Sequence, residues 1–344
     1  MRLNSWIFGA LALVAAAPAL AAPPYALTKT VPLGAPDRWD YLTFDPSAHR
    51  VFISHGTVVS VVDARSGAIV GTIGTFPGGT HGIGIVTAAG RGYTDDGKAG
   101  TATSFDLTTL KTQKTIAAAP DADGISFDSA SRHIFVINGD SGSITVIDPA
   151  SDSAVTTIAV GGGLEFGAAD GAGKFYVNGA DKGEIVRIDT KSNSVDAHWP
   201  VPSCTKPHGL AIDSKERRVF VSCVNGVMLV LDAVSGKQVA SLPIGKYTDA
   251  AAFDPVRKRV FSSNGDGTLS IYQEKDANTF EPLETVKTQP SARTMAVDPE
   301  SGRLYLTAMQ ITKIDPPTTP GGRPHVTFAP GSLALLIFDP VSPK

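Results

Sequence analysis

The chain lacks a basic excess. Its 30 Lys and Arg stand against 33 Asp and Glu in 344 residues, a formal net charge of −3. The positive, counterion-releasing surface that phosphate backbones need is therefore missing, and nucleic acid is not an expected partner. A second long apolar run is also missing. Beyond the stretch from Trp6 to Leu20, nothing reaches the about 20 apolar residues that span a bilayer, so no transmembrane segment is expected once that stretch is removed. The stretch itself is too short to span and soon meets proline, while Ala19-Leu20-Ala21 has the small-x-small pattern of a secretory cleavage site. Residues 1–21 are expected to be a signal peptide, because Pro23 disfavours a cut after Ala22. No cysteine follows the apolar segment to carry a lipid anchor. The mature protein, 22–344, is expected as one domain in the periplasm or secreted, and as a monomer.

What is present is repetition. One phrase recurs seven times at a spacing of about 40 residues, the period of a β-propeller blade. It is clear in WDYLTFDPSAHRVFISHGTVVSVVDARSG, DGISFDSASRHIFVINGDSGSITVIDPAS and HGLAIDSKERRVFVSCVNGVMLVLDAVSG. Each copy holds a short first strand ending in Asp, a Val/Phe-rich second strand and a third strand closing on Asp-x-x-Ser/Thr. The 35 Gly and 24 Pro recur in register with the repeats, as turn residues do. The fold class is all-β, a seven-bladed propeller with first strands starting near Trp39, Thr80, Ala122, Leu164, Pro207, Thr248 and Ala292. The last blade is short of a strand after Asp339, so Tyr25 to Val31 is expected to complete it and remove the free sheet edge. Two stretches break the repeat. QEKDANTFEPLE lengthens the connection after the third strand of blade six, and a Pro/Gly-rich insertion at 309–332 lies between the second and third strands of blade seven.

Comparing the copies exposes a ring. The residues entering the first strands are Asp40, His81, Asp123, Glu165, His208, Asp249 and Arg293, and every one is ionisable. In a propeller these positions share one end of the central channel, called here the top face. A single Asp or His at a strand start usually serves the local backbone, but a full set at one mouth repels itself unless a cation, ligand or shared protons compensate. Oxygen and imidazole donors suit a divalent metal, for which Asp123, Glu165, Asp249, His81 and His208 are the candidate ligands. Asp40, His55, Asp123, Asp249, Arg323 and His325 are the candidates for holding a small polar ligand. The loops after the second strands reach the same face and bring His55, Asp95, Asp96 and several Asn, most of them ordinary turn residues. The insertion adds Lys313, Asp315, Arg323 and His325, and it is expected to fold over the funnel. His49, His133 and His198 fall on the opposite face or an outer strand. The two cysteines, Cys204 and Cys223, lie in blade five at the same face and read as a disulfide in an exported protein. A Cys/His metal site with His208 is the alternative.

The copies RVFISHG, HIFVINGDSGSITVID and KFYVNGADKGEIVRID, with PHGLAID at a blade entry, resemble the YVTN-repeat, YncE-like propellers over nearly all of the mature chain. That resemblance implies an exported bacterial propeller. A more distant similarity to seven-bladed lactonase-type propellers implies His, Arg and Glu at the channel mouth, which His81 or His208, Arg293 and Glu165 match by type. Two readings follow. In one, the funnel binds a divalent metal, a small polar ligand or both, with lactonase-like hydrolase or lyase chemistry in which His81 and His208 move protons and Arg293 holds an anionic group. In the other, the propeller is a non-catalytic scaffold for another envelope protein, with the ring tied up in internal salt bridges.

Overall fold

Alternation along each strand decides how the sheets stack. In Arg50–His55 successive side chains point to opposite faces. Val51 and Ile53 join Leu42, Tyr305 and Leu335 between the last and first blades, whereas Phe52 joins Val59, Ile83 and Phe105 between the first and second. A sheet apolar on both faces needs a neighbour on each side, and a closed ring supplies one. Seven such inter-blade cores occur among the described residues.

The computed structural model describes residues 24–317 and 324–341, which form seven antiparallel blades. Their innermost strands are Leu42–Asp45, Ile83–Val86, Ala122–Asp128, Leu164–Ala169, Pro207–Asp213, Thr248–Asp254 and Thr294–Val297. The expected signal peptide at 1–21 and Arg323 lie outside the described residues. Among the described residues, no helix is long and apolar enough to cross a membrane.

The ring closes as its ends imply. Tyr25–Pro32 pairs antiparallel with Ala334–Pro340, so the seventh blade takes its outer strand from the other end of the chain. Tyr25 anchors it, fully buried in the core between blades six and seven and edge-on to Phe261.

The recurring Asp-x-x-Ser/Thr has a local cause. At the end of the third strand, Asp63 Oδ1 accepts the backbone N–H groups of Arg65 and Ser66 and the Ser66 hydroxyl. Asp106, Asp189 and Asp232 repeat the arrangement. The turn is held by a side chain standing in for the backbone.

Blade six departs from the expectation of a long connection. Its third strand runs on to Thr268–Asp276, and the segment folds back as Thr279–Pro282 and Val286–Lys287, so the extra residues lengthen the sheet. The blade-seven insertion forms a small sheet of its own, in which Ile311–Asp315 pairs with His325–Phe328.

Candidate functional site

Hydroxyl and amide groups of one blade fix the backbone of the next at the ring. Ser54 Oγ donates to the His81 carbonyl at 2.6 Å and Ser263 Oγ to that of Arg293 at 2.6 Å, while Asn178 Nδ2 donates to that of His208. These donors stand one residue before the ends of the second strands, where the repeat places small polar residues. Close approach of the blades also excludes a side chain beside the ring: a Cβ on Gly82 would stand 2.3 Å from the Asp123 carbonyl oxygen, and one on Gly209 would stand 2.4 Å from the Ala251 nitrogen.

On this frame the seven ring residues converge. His208 Nδ1 lies 3.0 Å from Asp249 Oδ1 and 3.5 Å from Glu165 Oε2, and Asp249 Oδ2 forms an ion pair with Arg293, 2.7 Å from its Nε. Blades four to seven thus contribute a continuous Glu165–His208–Asp249–Arg293 chain. On the other side, His81 Nδ1 lies 3.6 Å from Asp95 Oδ1, and its Nε2 is 2.9 Å from Arg38 Nη2. Asp95 is fully buried and accepts the N–H groups of His81 and Gly82 at 2.7 and 3.0 Å.

Crowding carboxylates at a buried mouth shifts their protonation. Burial, then Asp249, pushes Asp40 up to about 7 against the pull of Arg293 and His81. Burial and the Asp40 charge hold Asp123 well above the usual carboxylate range. Burial lifts Asp95 to about 6 although His81 opposes it. Burial alone would lower His81, but Asp95, Asp40 and Asp123 outweigh it and raise the imidazole to about 9. A buried carboxyl titrating near neutrality and a buried imidazole titrating above it share one mouth.

The axis between them is bridged. The rings of Tyr41 and Phe166 meet at 4.8 Å, although they come from blades one and four on opposite sides of the propeller. Sequence reasoning missed both, and a signal existed. The residue after each ring position is Gly82, Gly124, Gly209, Ala250 or Thr294 elsewhere, so two aromatics at that register stand out. Arg38, the partner of His81, was missed because it precedes the repeat.

Not every candidate joins the ring. His55 is buried, with Nε2 donating to the carbonyls of Gly34 and Pro36 and Nδ1 facing Ser60 Oγ, so it ties down the segment entering blade one. His325 is exposed on the insertion hairpin. Asn138 and Asn264 spend their amides on neighbouring hydroxyls. Cys204 and Cys223 form a disulfide. Among the described residues, no three His, Cys, Asp or Glu side chains are grouped to hold a metal ion.

The hairpin borders the funnel. Phe328 packs edge-on against Trp39 at 5.3 Å, and the Arg293 guanidinium lies over the Trp39 ring, 5.4 Å from its centroid. A cavity of about 480 Å³ opens among Trp39, Arg293, Ile311, Ile314, Val326 and Phe328.

No family model matches the sequence. The chain is 26% identical over 191 residues to the uncharacterized protein YncE of Salmonella typhimurium, an alignment covering 53% of each. The propeller is YncE-like. This YncE-like chain spans about half the length of the curated relatives it matches. The solved U3-55K structure superimposes with a TM-score of 0.76 at 11% identity, covering 92% of this chain and 98% of that one. The RRP9 WD40 repeats do so at 0.77 and 11%, covering 92% and 99%. At such identities these structures share the fold alone.

Proposed function

We propose that this protein is an exported binding propeller whose top-face funnel takes a small polar ligand. One observation carries the reading: ionisable side chains from all seven blades meet at a mouth whose axis is bridged by Tyr41 and Phe166. Arg293 would hold an electron-rich group of the ligand, while Asp40 would exchange a proton with it near neutral pH and His81 would offer it a proton. Hydrolysis or elimination on a lactone or ester is the chemistry such a set serves. A divalent cation is a further occupant suited to the donor types, and export rests on the apolar N-terminal stretch.

The test is thermal shift and calorimetry of the full chain with lactones, esters, small organic anions and divalent ions, followed by turnover assays on any binder. A ligand at 100 times its Kd stabilises the native state by about 2.7 kcal/mol. His208→Ala and Glu165→Gln should abolish that gain, and His133→Ala on the opposite face should keep it. If nothing in the panel stabilises the protein, the binding reading falls.

The scaffold reading has one observation in its favour, the Glu165–His208–Asp249–Arg293 chain, in which the charges already compensate one another. On that reading the ring variants lower stability, no small ligand restores it, and an envelope protein is captured through the hairpin.

A further inference from the structure

The cavity beside the ring differs from the funnel in chemistry. Ile311, Ile314, Val326 and Phe328 of the hairpin form one wall and the Trp39 face another. Its about 480 Å³ falls within the range of small-molecule sites. One guanidinium enters it: Arg293 is ion-paired with Asp249 at 2.7 Å, lies over the Trp39 ring, and still leaves 35% of its side chain exposed. Asp266 also borders the cavity, but its carboxylate accepts the Lys246 N–H at 2.7 Å and the Thr268 hydroxyl at 2.6 Å.

The charge pattern selects the occupant. Arg293 is already matched by Asp249, so a ligand carboxylate would bring a second anion to one guanidinium against apolar walls, where an unmatched charge is strongly disfavoured. A ligand ammonium would face the guanidinium itself. An uncharged acceptor meets neither penalty and takes a guanidinium N–H that Asp249 does not use. We infer that the cavity receives the flat, apolar body of an uncharged molecule whose carbonyl-type oxygen accepts from Arg293. This deepens the funnel reading and rests on it through Arg293, which both share.

Calorimetry of the full chain with three probes of one shape tests the inference: 2-naphthamide, 2-naphthoate and 2-naphthylmethylamine. The amide should bind at least tenfold more tightly than either charged analogue, and acetamide, which has the acceptor and no body, should bind at least a hundredfold more weakly. Phe328→Ala, or Phe328→Leu if the first variant folds poorly, should weaken the amide at least tenfold, as should Arg293→Lys, with His133→Ala unchanged. Tighter binding of the carboxylate or the amine, or an amide affinity indifferent to Phe328 and Arg293, overturns the inference. The two readings fail separately. A polar ligand lost in His208→Ala with no naphthamide binding removes this inference and leaves the funnel standing. Naphthamide binding lost in Phe328→Ala, with no polar ligand found, supports the cavity and leaves the funnel reading without support.

Discussion

At the scale of single residues, the mouth of the channel sets a pH dependence with a definite sign. Asp40 and Asp95 titrate at about 7 and about 6 against an ordinary 3.8, and His81 at about 9 against 6.5. All three hold more protons folded than unfolded, so stability falls as pH rises. The carboxyl penalty is absent below pH 3.8 and complete above about 7, whereas the His81 contribution is full below 6.5 and lost through about 9. Glu274, buried beside Asp213 and pushed up to about 8 chiefly by burial, adds in the same direction. Urea midpoints should be higher at pH 5.5 than at pH 9, and Asp40→Asn should flatten the limb between pH 4 and 7. A midpoint that rises toward pH 9 would contradict the assignment. Crowding gives a second prediction at this scale. Gly82→Ala places a Cβ against the backbone of Asp123 and Ile125, neither of which is a flexible side-chain end. Overpacking of this kind costs about 1–3 kcal/mol, readable as a lowered urea midpoint.

At the scale of elements, the hairpin and the N-terminal strand make opposite predictions. The hairpin hydrogen-bonds within its own two-stranded sheet, so replacing residues 311–328 with a short Gly-Ser link should leave the ring folded. It should also uncover Trp39 and shift its fluorescence to the red. Deleting residues 24–33 should lower the melting temperature of the whole molecule, because Tyr25 lies inside an inter-blade core. An unchanged melting temperature in that truncation would contradict the closure. Elements of this kind were legible because they repeat. Strands such as RVFIS and HIFVI carry their period in seven copies, and the missing outer strand showed as a deficit at Asp339. The fold of the insertion was not legible, because it occurs once and its contact with Trp39 joins residues almost 300 positions apart. His55 misled for a related reason: a lone imidazole at a loop looks the same in sequence whether it meets a ligand or the carbonyls of Gly34 and Pro36.

At the scale of the whole molecule, the two ends of the chain share one sheet. Thr28 Oγ1 donates to the Ile337 carbonyl across a separation of 309 residues. Chain synthesis makes Tyr25–Pro32 first and its partner Ala334–Pro340 last. Until the final strand emerges, the first has no mate, the flank of blade one has no cover, and the growing protein is an open arc with adhesive edges. Closure is therefore the last pairing the growing chain can make, and a chain that stops short of Ala334 keeps an uncovered edge at the seam of the ring.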